Sequence, residues 1–416
     1  MSGKCGMRNS GSGIAVRGGT AARSAAGTTQ RVRLGDVAEE IRENWSGPTA
    51  DVPVVGLEHI EPDEVWLRKW EVNPDENTFS KAFRKGQLLF GRRRAYQKKL
   101  SLAPSDGICS GDITVIAAKS DKVVPSLLPF LLRTDKFFDH AIQGSAGSLS
   151  PRVKWAHLAK YEFDLPPMDE QKKLAELLWA ANDLKESYKK AIIATDEMLK
   201  AKFREMFGDA GDDSSRGGAE TRSTIGKVKV VEFGEVAIDF RNGLSPSRRG
   251  SIHAKALTLT AVTQGVFDPT QWKDSTFDIE VPEDKYICSD DFYICRGNGN
   301  KALVGMGVFS CENHDDLVFP DTVIAAKIDT SKIMMPFLAY AWNSDGVRQQ
   351  VGISAKTSSG LYKVNQERLS HIQIPLPPLS LQREFVAIAD KAESAKANLK
   401  KSIAAIDQVM KGLIND

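Results

Sequence analysis

The hydrophobic positions of this chain change period twice, and the whole cycle then runs again. Short apolar runs rich in β-branched and aromatic residues, at 52–55, 87–90, 113–117, 292–294 and 323–326, are bounded by Gly, Pro and Asp and predict strands. Segments 126–138 and 335–347 predict short helices. After Pro167 the period lengthens, and apolar or small residues fall at 174, 177, 181, 184, 188, 191, 195 and 198. After Pro378 they fall at 385, 388, 392, 395, 399, 402, 406, 409 and 413. Alternating three-four spacing gives a narrow seam of period 3.5, which suits one partner helix better than a broad domain face. Leu174, Leu177, Leu184 and Tyr188 on the first helix and Phe385, Ile388, Leu399 and Ile406 on the second are the seam positions with the larger side chains. A proline before each helix fixes its start, and Asp169 and Glu170 suit the positive end of the first dipole. Each helix spans about 39 residues, roughly 55 Å. Antiparallel pairing of the two is the expected arrangement, holding the globular parts apart; packing of each helix on its own globular part is the alternative.

The recurrence extends to the residues themselves. Thr114-Val115-Ile116-Ala117-Ala118-Lys119 reappears unchanged as Thr322-Val323-Ile324-Ala325-Ala326-Lys327. Leu34-Gly35-Asp36-Val37 is echoed by Phe233-Gly234-Glu235-Val236, and Leu88-Leu89-Phe90-Gly91-Arg92 by Phe292-Tyr293-Ile294-Cys295-Arg296. Pro129-Phe130-Leu131 returns as Pro336-Phe337-Leu338. Leu165-Pro166-Pro167 followed by Gln171 returns as Leu376-Pro377-Pro378 followed by Gln382. The offset drifts only from 199 to 211, as a duplication with small loop insertions requires. The expected fold is α/β (α+β), with two similar globular domains separated by two long antiparallel coiled-coil helices. The expected divisions are a disordered tail at 1–30, globular domains at 31–166 and 227–376, helices at 167–208 and 377–416, and a linker at 209–226.

Composition adds exclusions. The 416 residues are 41% hydrophobic and 26% charged, ordinary for a globular protein. No apolar run reaches the roughly 20 residues that span a bilayer, and residues 1–30 lack an apolar leader core, so a cytoplasmic protein is expected. Cys5, Cys109, Cys288, Cys295 and Cys311 are few and scattered, as in a reducing compartment. Cys288, Cys295, Cys311 and His314 raise the question of zinc, but without a C-x-x-C pair core cysteines are the expectation and no metal site is assigned. No phosphate-binding loop, nucleophile elbow or His-Glu-x-x-His occurs, so no catalytic residue is assigned. The Gly-rich 296–301 reads as a β-turn.

A net charge of +2 neither demands nor excludes a nucleic-acid partner, so local patches decide. Segment 85–105 has no acid but carries Arg92, Arg93, Arg94, Lys98 and Lys99 with Tyr96 interleaved. Segment 241–267 is also acid-free, with Arg241, Asn242, Arg248 and Arg249. Ser148, Arg152 and Lys154 lie in a third such stretch, 140–161, and Lys356, Ser358 and Tyr362 lie in its counterpart in the second copy, 346–366. Arg296, Asn298 and Lys301 occupy the Gly-rich turn. Basic residues in Gly/Ser-rich loops suit phosphate contacts, and Arg and Asn can read base edges. These residues are the candidate DNA contacts; solvated loops on an ordinary surface are the competing interpretation.

In this ordered, duplicated form the chain resembles the specificity subunit of type I restriction–modification enzymes. Segments carrying the likeness are Leu165-Pro166-Pro167-Met168-Asp169-Glu170-Gln171 and Ile374-Pro375-Leu376-Pro377-Pro378-Leu379-Ser380-Leu381-Gln382, together with Phe203-Arg204-Glu205-Met206-Phe207-Gly208-Asp209 and Gly86-Gln87-Leu88-Leu89-Phe90-Gly91-Arg92. In that family a Pro-Leu-Pro-Pro-Leu-x-x-Gln-like sequence leads into each conserved helix. The resemblance implies that each globular part is a target recognition domain reading one half of a bipartite, asymmetric site in double-stranded DNA. It implies helices that dock modification (methyltransferase) subunits, a motor-nuclease restriction subunit as further partner, and no cofactor bound by this chain itself. S-adenosylmethionine, ATP and Mg2+ would belong to the partners. A non-catalytic protein-binding adaptor is the alternative from another class.

Overall fold

A computed structural model of the chain describes residues 29–72, 78–147, 149–208, 220–223, 226–358 and 360–415. The expected tail thus falls almost wholly outside the described residues, as do 209–219 and 224–225 of the expected linker. Within that linker, Glu220–Ser223 is a strand paired antiparallel with Gly226–Glu232. The chain divides into two units. One gathers the described residues up to Lys190 together with those from Leu399 onward; the other is Ala191–Asn398. Each unit therefore contains one globular domain and a half of each long helix.

In the first unit, Gln30–Arg33 pairs antiparallel with Glu162–Leu165, so the two ends of the globular domain lie side by side. Between them stands a four-stranded antiparallel sheet in the order Ala38–Ile41, Ile113–Ala118, Leu88–Gly91, Leu100–Leu102. A second sheet runs Glu71–Val72, Pro53–Val55, Gly107–Cys109, Lys81–Phe83, with its middle pair parallel. Alternation along a strand sends neighbours to opposite faces. Leu88, Phe90 and Ile116 accordingly join a core with Phe130, Phe137 and Leu178, while Leu89 and Val115 join another with Val55, Phe83 and Cys109. Both faces of the first sheet are covered, which is why its strands read as continuous apolar runs.

The second unit repeats this two-sheet plan. Gly226–Glu232 pairs with Gln373–Pro375. One sheet runs Ala237–Asn242, Val323–Ile328, Asp291–Cys295, Gly307–Phe309, and the other Trp272–Phe277, Ile252–Leu257, His314–Val318, Tyr286–Ile287, again with a parallel middle pair. Phe292, Ile294, Ile324 and Ala326 face one core and Tyr293, Cys295, Val323 and Ala325 the other. The register corrects one detail of the duplication. Gly91 stands opposite Ile113, and its counterpart Cys295 opposite Val323. Thr114 is therefore equivalent to Ile324, and the two identical hexapeptides sit on equivalent strands two residues out of register. A slip of two preserves which side chains face which core, so the sequence tolerates it.

Both recurrent motifs that open and close the domains have a physical reason. Gly35 N–H donates to Ala159 O at 2.9 Å, and a Cβ on Gly35 would lie 3.1 Å from that of Ala159. Gly234 lies equally close to Ser370. The following carboxylates, Asp36 and Glu235, accept from the backbone N–H three residues back. At the helix starts Gln171 is buried, accepts from Val124 N–H at 2.8 Å and donates to Pro166 O at 2.9 Å. Gln382 likewise accepts from Met334 N–H at 2.8 Å and donates to Pro377 O and Lys332 O. Each glutamine thus ties a long helix to the loop that follows the repeated strand.

The long helices span Met168–Phe207 and Leu379–Asn415. Within each unit they run antiparallel. In the first, Lys185 pairs with Asp407 at 2.7 Å, and Met410, Leu413 and Ile414 pack on the core that holds Leu178. In the second, Lys396 pairs with Asp196, and Phe385 stacks edge-on against Phe203 and Phe207. The seam of the first helix is displaced from the expected one, whereas Phe385 and Ala392 of the second are buried where expected. On the first helix Gln171, Ala175, Leu178, Asn182, Leu199, Phe203 and Met206 are buried; Ala175, Leu178, Asn182 and Leu199 each lie one residue beyond an expected position, whereas Leu177 is 51% and Leu184 44% exposed. Leu174 is only partly buried and Tyr188 half-buried. On the second, Phe385 is buried, Ile388 partly so, and Leu399 and Ile406 half-buried. The displacement arises because the inner face carries Lys185, Lys189 and Lys396, which a search for apolar residues passes over. Their stems pack inside and their ammonium groups find Asp407, Glu64 and Asp196.

Two smaller expectations also change. Each short helix breaks in two, Leu128–Leu131 and Asp135–Gln143 in one copy, Met335–Trp342 and Asp345–Ser354 in the other, where Thr134 and Ser344 take extended N-cap conformations. Of the cysteines, Cys109 and Cys295 are buried and their thiols pushed up by that burial, to about 12 and about 11, but Cys288 is half-buried and Cys311 exposed. No helix among the described residues is long and apolar enough to cross a membrane.

Candidate nucleic-acid interface

The candidate residues of the first domain converge where the strand Leu88–Gly91 ends. Arg92 N–H donates to Asp112 O, and Arg92 O accepts from Val153 N–H at 3.0 Å, which draws the loop before Lys154 against the strand end. Arg93 bridges across to Arg152. Asp112 binds both arginines: its carboxylate accepts from Arg152 Nε at 2.6 Å and Nη2 at 3.2 Å, and lies 3.5 Å from Arg93 Nη1. Arg93 Nη2 also donates to Ser150 Oγ at 3.0 Å. The hydrogen bond from Arg152, then the charges of Arg152 and Arg93, hold the Asp112 carboxyl below the usual range against its partial burial.

Arg94 and Tyr96 are exposed on a tight turn, Ala95–Gln97. The turn is flanked by left-handed backbone at Arg94 (φ 55°) and Lys98 (φ 52°), strain that a non-glycine residue adopts only where the surroundings enforce it. Lys98 is held by Asp135 at 2.5 Å and Lys99 donates to Leu57 O at 2.6 Å, so neither ammonium is uncommitted. Lys154 is exposed at the start of Trp155–Leu158. Ser148 lies outside the described residues.

The second domain builds the same place differently. Arg296 N–H donates to Thr322 O and its carbonyl accepts from Val364 N–H at 2.9 Å, the arrangement seen at Arg92. Gly297 then stands where Arg93 stands in the first copy, and Lys363 where Arg152 does. Gly297–Asn298 pairs with Leu361–Lys363, which pairs with Lys356–Ser358, a ribbon carrying Asn298, Tyr362 and the backbone of Lys356 and Ser358. Lys301 is exposed, its ammonium 5.9 Å from the Tyr362 ring centroid. Arg296 Nη1 donates to Asp321 O at 3.1 Å, and Asp321 accepts from Ser245 of the neighbouring loop. Asn298 Oδ1 accepts from Asn300 N–H. Asn242 is exposed at the end of the strand Ala237–Asn242, and Arg248 and Arg249 are exposed on the loop that follows it and contains Ser245. Arg241 is not part of this surface: its guanidinium is mostly buried, donates to Asp284 O at 2.7 Å and pairs with the buried Asp291. Sequence reasoning missed Asp112, Ser150 and Asp321. Asp112 sits just beyond an acid-free window, so counting charge along the chain separated it from the arginines it binds.

No protein-family model matches the chain. It is 25% identical over 346 residues to the StySPI type I restriction enzyme specificity subunit of Salmonella potsdam, covering 76% of this chain and 73% of that one. It is 23% identical over 363 residues to the EcoKI specificity subunit of Escherichia coli K12, covering 79% and 77%. A chain from a solved structure, described as the structural basis of complex assembly and conformational transition of the type I R-M system, superposes with a TM-score of 0.56 at 19% identity over 93% of this chain and 96% of its own. That likeness establishes a common fold. In sequence, along three quarters of its length, the chain is similar to type I restriction enzyme specificity subunits.

Proposed function

We propose that this chain is the DNA sequence-specificity subunit of a type I restriction–modification complex, non-catalytic itself. Each globular domain, 31–166 and 227–376, reads one half of a bipartite, asymmetric site. The helices, 167–208 and 377–416, dock modification subunits, and a motor-nuclease restriction subunit joins them. S-adenosylmethionine, ATP and Mg2+ are used by those partners. The observation that carries this reading is one strand-end surface built twice on the same frame with different side chains, an Asp112-bound arginine pair in one copy and a Lys301–Tyr362 ribbon in the other. A protein reading two unlike half-sites needs such a pair of surfaces. On the first helix Leu177 and Leu184, turned outward, give a docked subunit apolar area.

The test is to map methylated adenines in a host expressing the chain with its modification subunits. A motif of two unlike halves across a fixed gap is expected. A palindromic motif, or no motif beyond the host background, would overturn the reading.

A further inference from the structure

The first domain's surface specifies more than an affinity for DNA. A guanidinium has two faces that offer paired N–H donors: the side, Nε with one Nη, and the end, Nη1 with Nη2. Asp112 occupies the side of Arg152, through Nε and Nη2. No hydrogen bond to Arg152 Nη1 occurs among the described residues, and the side chain is 44% exposed. What remains to a ligand is therefore the end face, held in a fixed plane, with two parallel donors and no acceptor. Arg93 is spent differently. Its two Nη atoms go to Asp112 and Ser150, so it anchors the carboxylate and leaves the cluster net positive toward a polyanion.

We infer that Arg152 is a guanine reader in the half-site bound by the first domain, with Asp112 as its positioning residue. This inference rests on the reading of the chain as a DNA-specificity subunit. In the major groove guanine offers two acceptors, N7 and O6, matching the end face; adenine offers one acceptor and one donor, and N6 opposes the guanidinium. A phosphate would accept the same two bonds, but charge alone suffices there and an unclamped Lys serves as well. The clamp on Arg152 fixes an orientation, which base reading requires and phosphate binding does not. The second copy lacks this device: Lys363 and Gly297 replace the two arginines, and Arg296 makes one bond to a carbonyl rather than a carboxylate clamp. The guanine reader belongs to one half-site only.

The experiment selects duplexes from a randomised DNA pool with the complete complex of the chain and its modification subunits, using wild type, Arg152→Lys and Asp112→Asn. Wild type is expected to yield a bipartite motif with a fixed guanine in one half. Arg152→Lys, which keeps the charge, should cut the preference for guanine over adenine at that position by about 5- to 150-fold while leaving the other half unchanged. Asp112→Asn should relax the same position. The unchanged other half also reports that each variant is folded. A wild-type pool without any bipartite motif would sink the specificity-subunit reading, and this inference with it. A bipartite wild-type motif whose guanines all persist in both variants leaves that reading standing and overturns the guanine reader. So does a change of affinity in Arg152→Lys that is the same for every sequence, with the guanine preference kept, the mark of a phosphate contact.

Discussion

At the scale of single residues, the recurrent glutamines and the clamped arginines show two different relations between sequence and structure. Gln171 and Gln382 are legible as recurring letters, and the structure supplies their reason: each is buried and ties a helix start to a backbone N–H and to backbone carbonyls. Gln382→Ala leaves those groups without their partner, and about 2–3 kcal/mol of destabilisation is expected. Urea unfolding of the full chain checks it; a change under about 0.5 kcal/mol would mean that water replaces the side chain. The cation cluster is only half legible. Its arginines stand out along the chain, but Asp112, Asp135 and Asp291 reach the cationic residues across the fold, so an acid-free window is not an unpaired surface. The Asp112 carboxyl is held below its ordinary range by Arg152 and Arg93. A depressed carboxyl contributes stability above its unfolded value and loses it as pH falls through the folded one. The clamp therefore persists through neutral and mildly acidic solution and opens only below the ordinary Asp range. NMR titration of the Asp112 carboxyl should give a midpoint below that of an exposed Asp, and Arg152→Ala with Arg93→Ala should return it to the ordinary range.

At the scale of elements, both long helices and their antiparallel direction are legible, because period 3.5 and a proline start are local properties. The phase is not. Counting apolar residues places Leu177 and Leu184 in the seam, whereas the inner face alternates Leu178 and Leu199 with Asn182, Lys185 and Lys189. Long cations can line a seam when their heads reach a carboxylate, and no periodicity of apolar letters registers that. The phase has a direct consequence. Leu178→Ala should destabilise by about 2–5 kcal/mol, because the residue is fully buried. Leu177→Lys and Leu184→Lys should change stability of the isolated chain by no more than about 0.5 kcal/mol. Thermal unfolding of the three variants distinguishes the two phases, and equal losses would restore the apolar-count seam. The ion pairs follow the duplication: Lys185 is the counterpart of Lys396 and Asp196 of Asp407, and each Lys meets the Asp of the other helix. A double-mutant cycle on Lys396 and Asp196 should give a coupling of about 1 kcal/mol, since Lys396 is largely buried but Asp196 is not.

At the scale of the whole molecule, the duplication is legible in the order of the residues alone, though its most conspicuous signature, the identical hexapeptide, is two residues out of register. What carries the repeat is the frame: the same two sheet orders, the same parallel pair, the same glycine contact and the same glutamine tie. The frame also closes each globular domain on itself, because Gln30–Arg33 lies beside Glu162–Leu165 and Gly226–Glu232 beside Gln373–Pro375. A domain whose first and last strands are neighbours can be exchanged without altering the path of the chain outside it. Replacing 31–165 by the corresponding domain of a relative, while keeping Gln171 and the helix that follows, should therefore preserve folding and helix pairing. It should change the half of the methylated motif read by the first domain and leave the other half and the gap intact. Sequencing of modified adenines in a host carrying the chimera, with the same modification subunits, measures this. Simultaneous change in both halves would show that the domains do not read independently, and the two-reader account of this chain would then have to be abandoned.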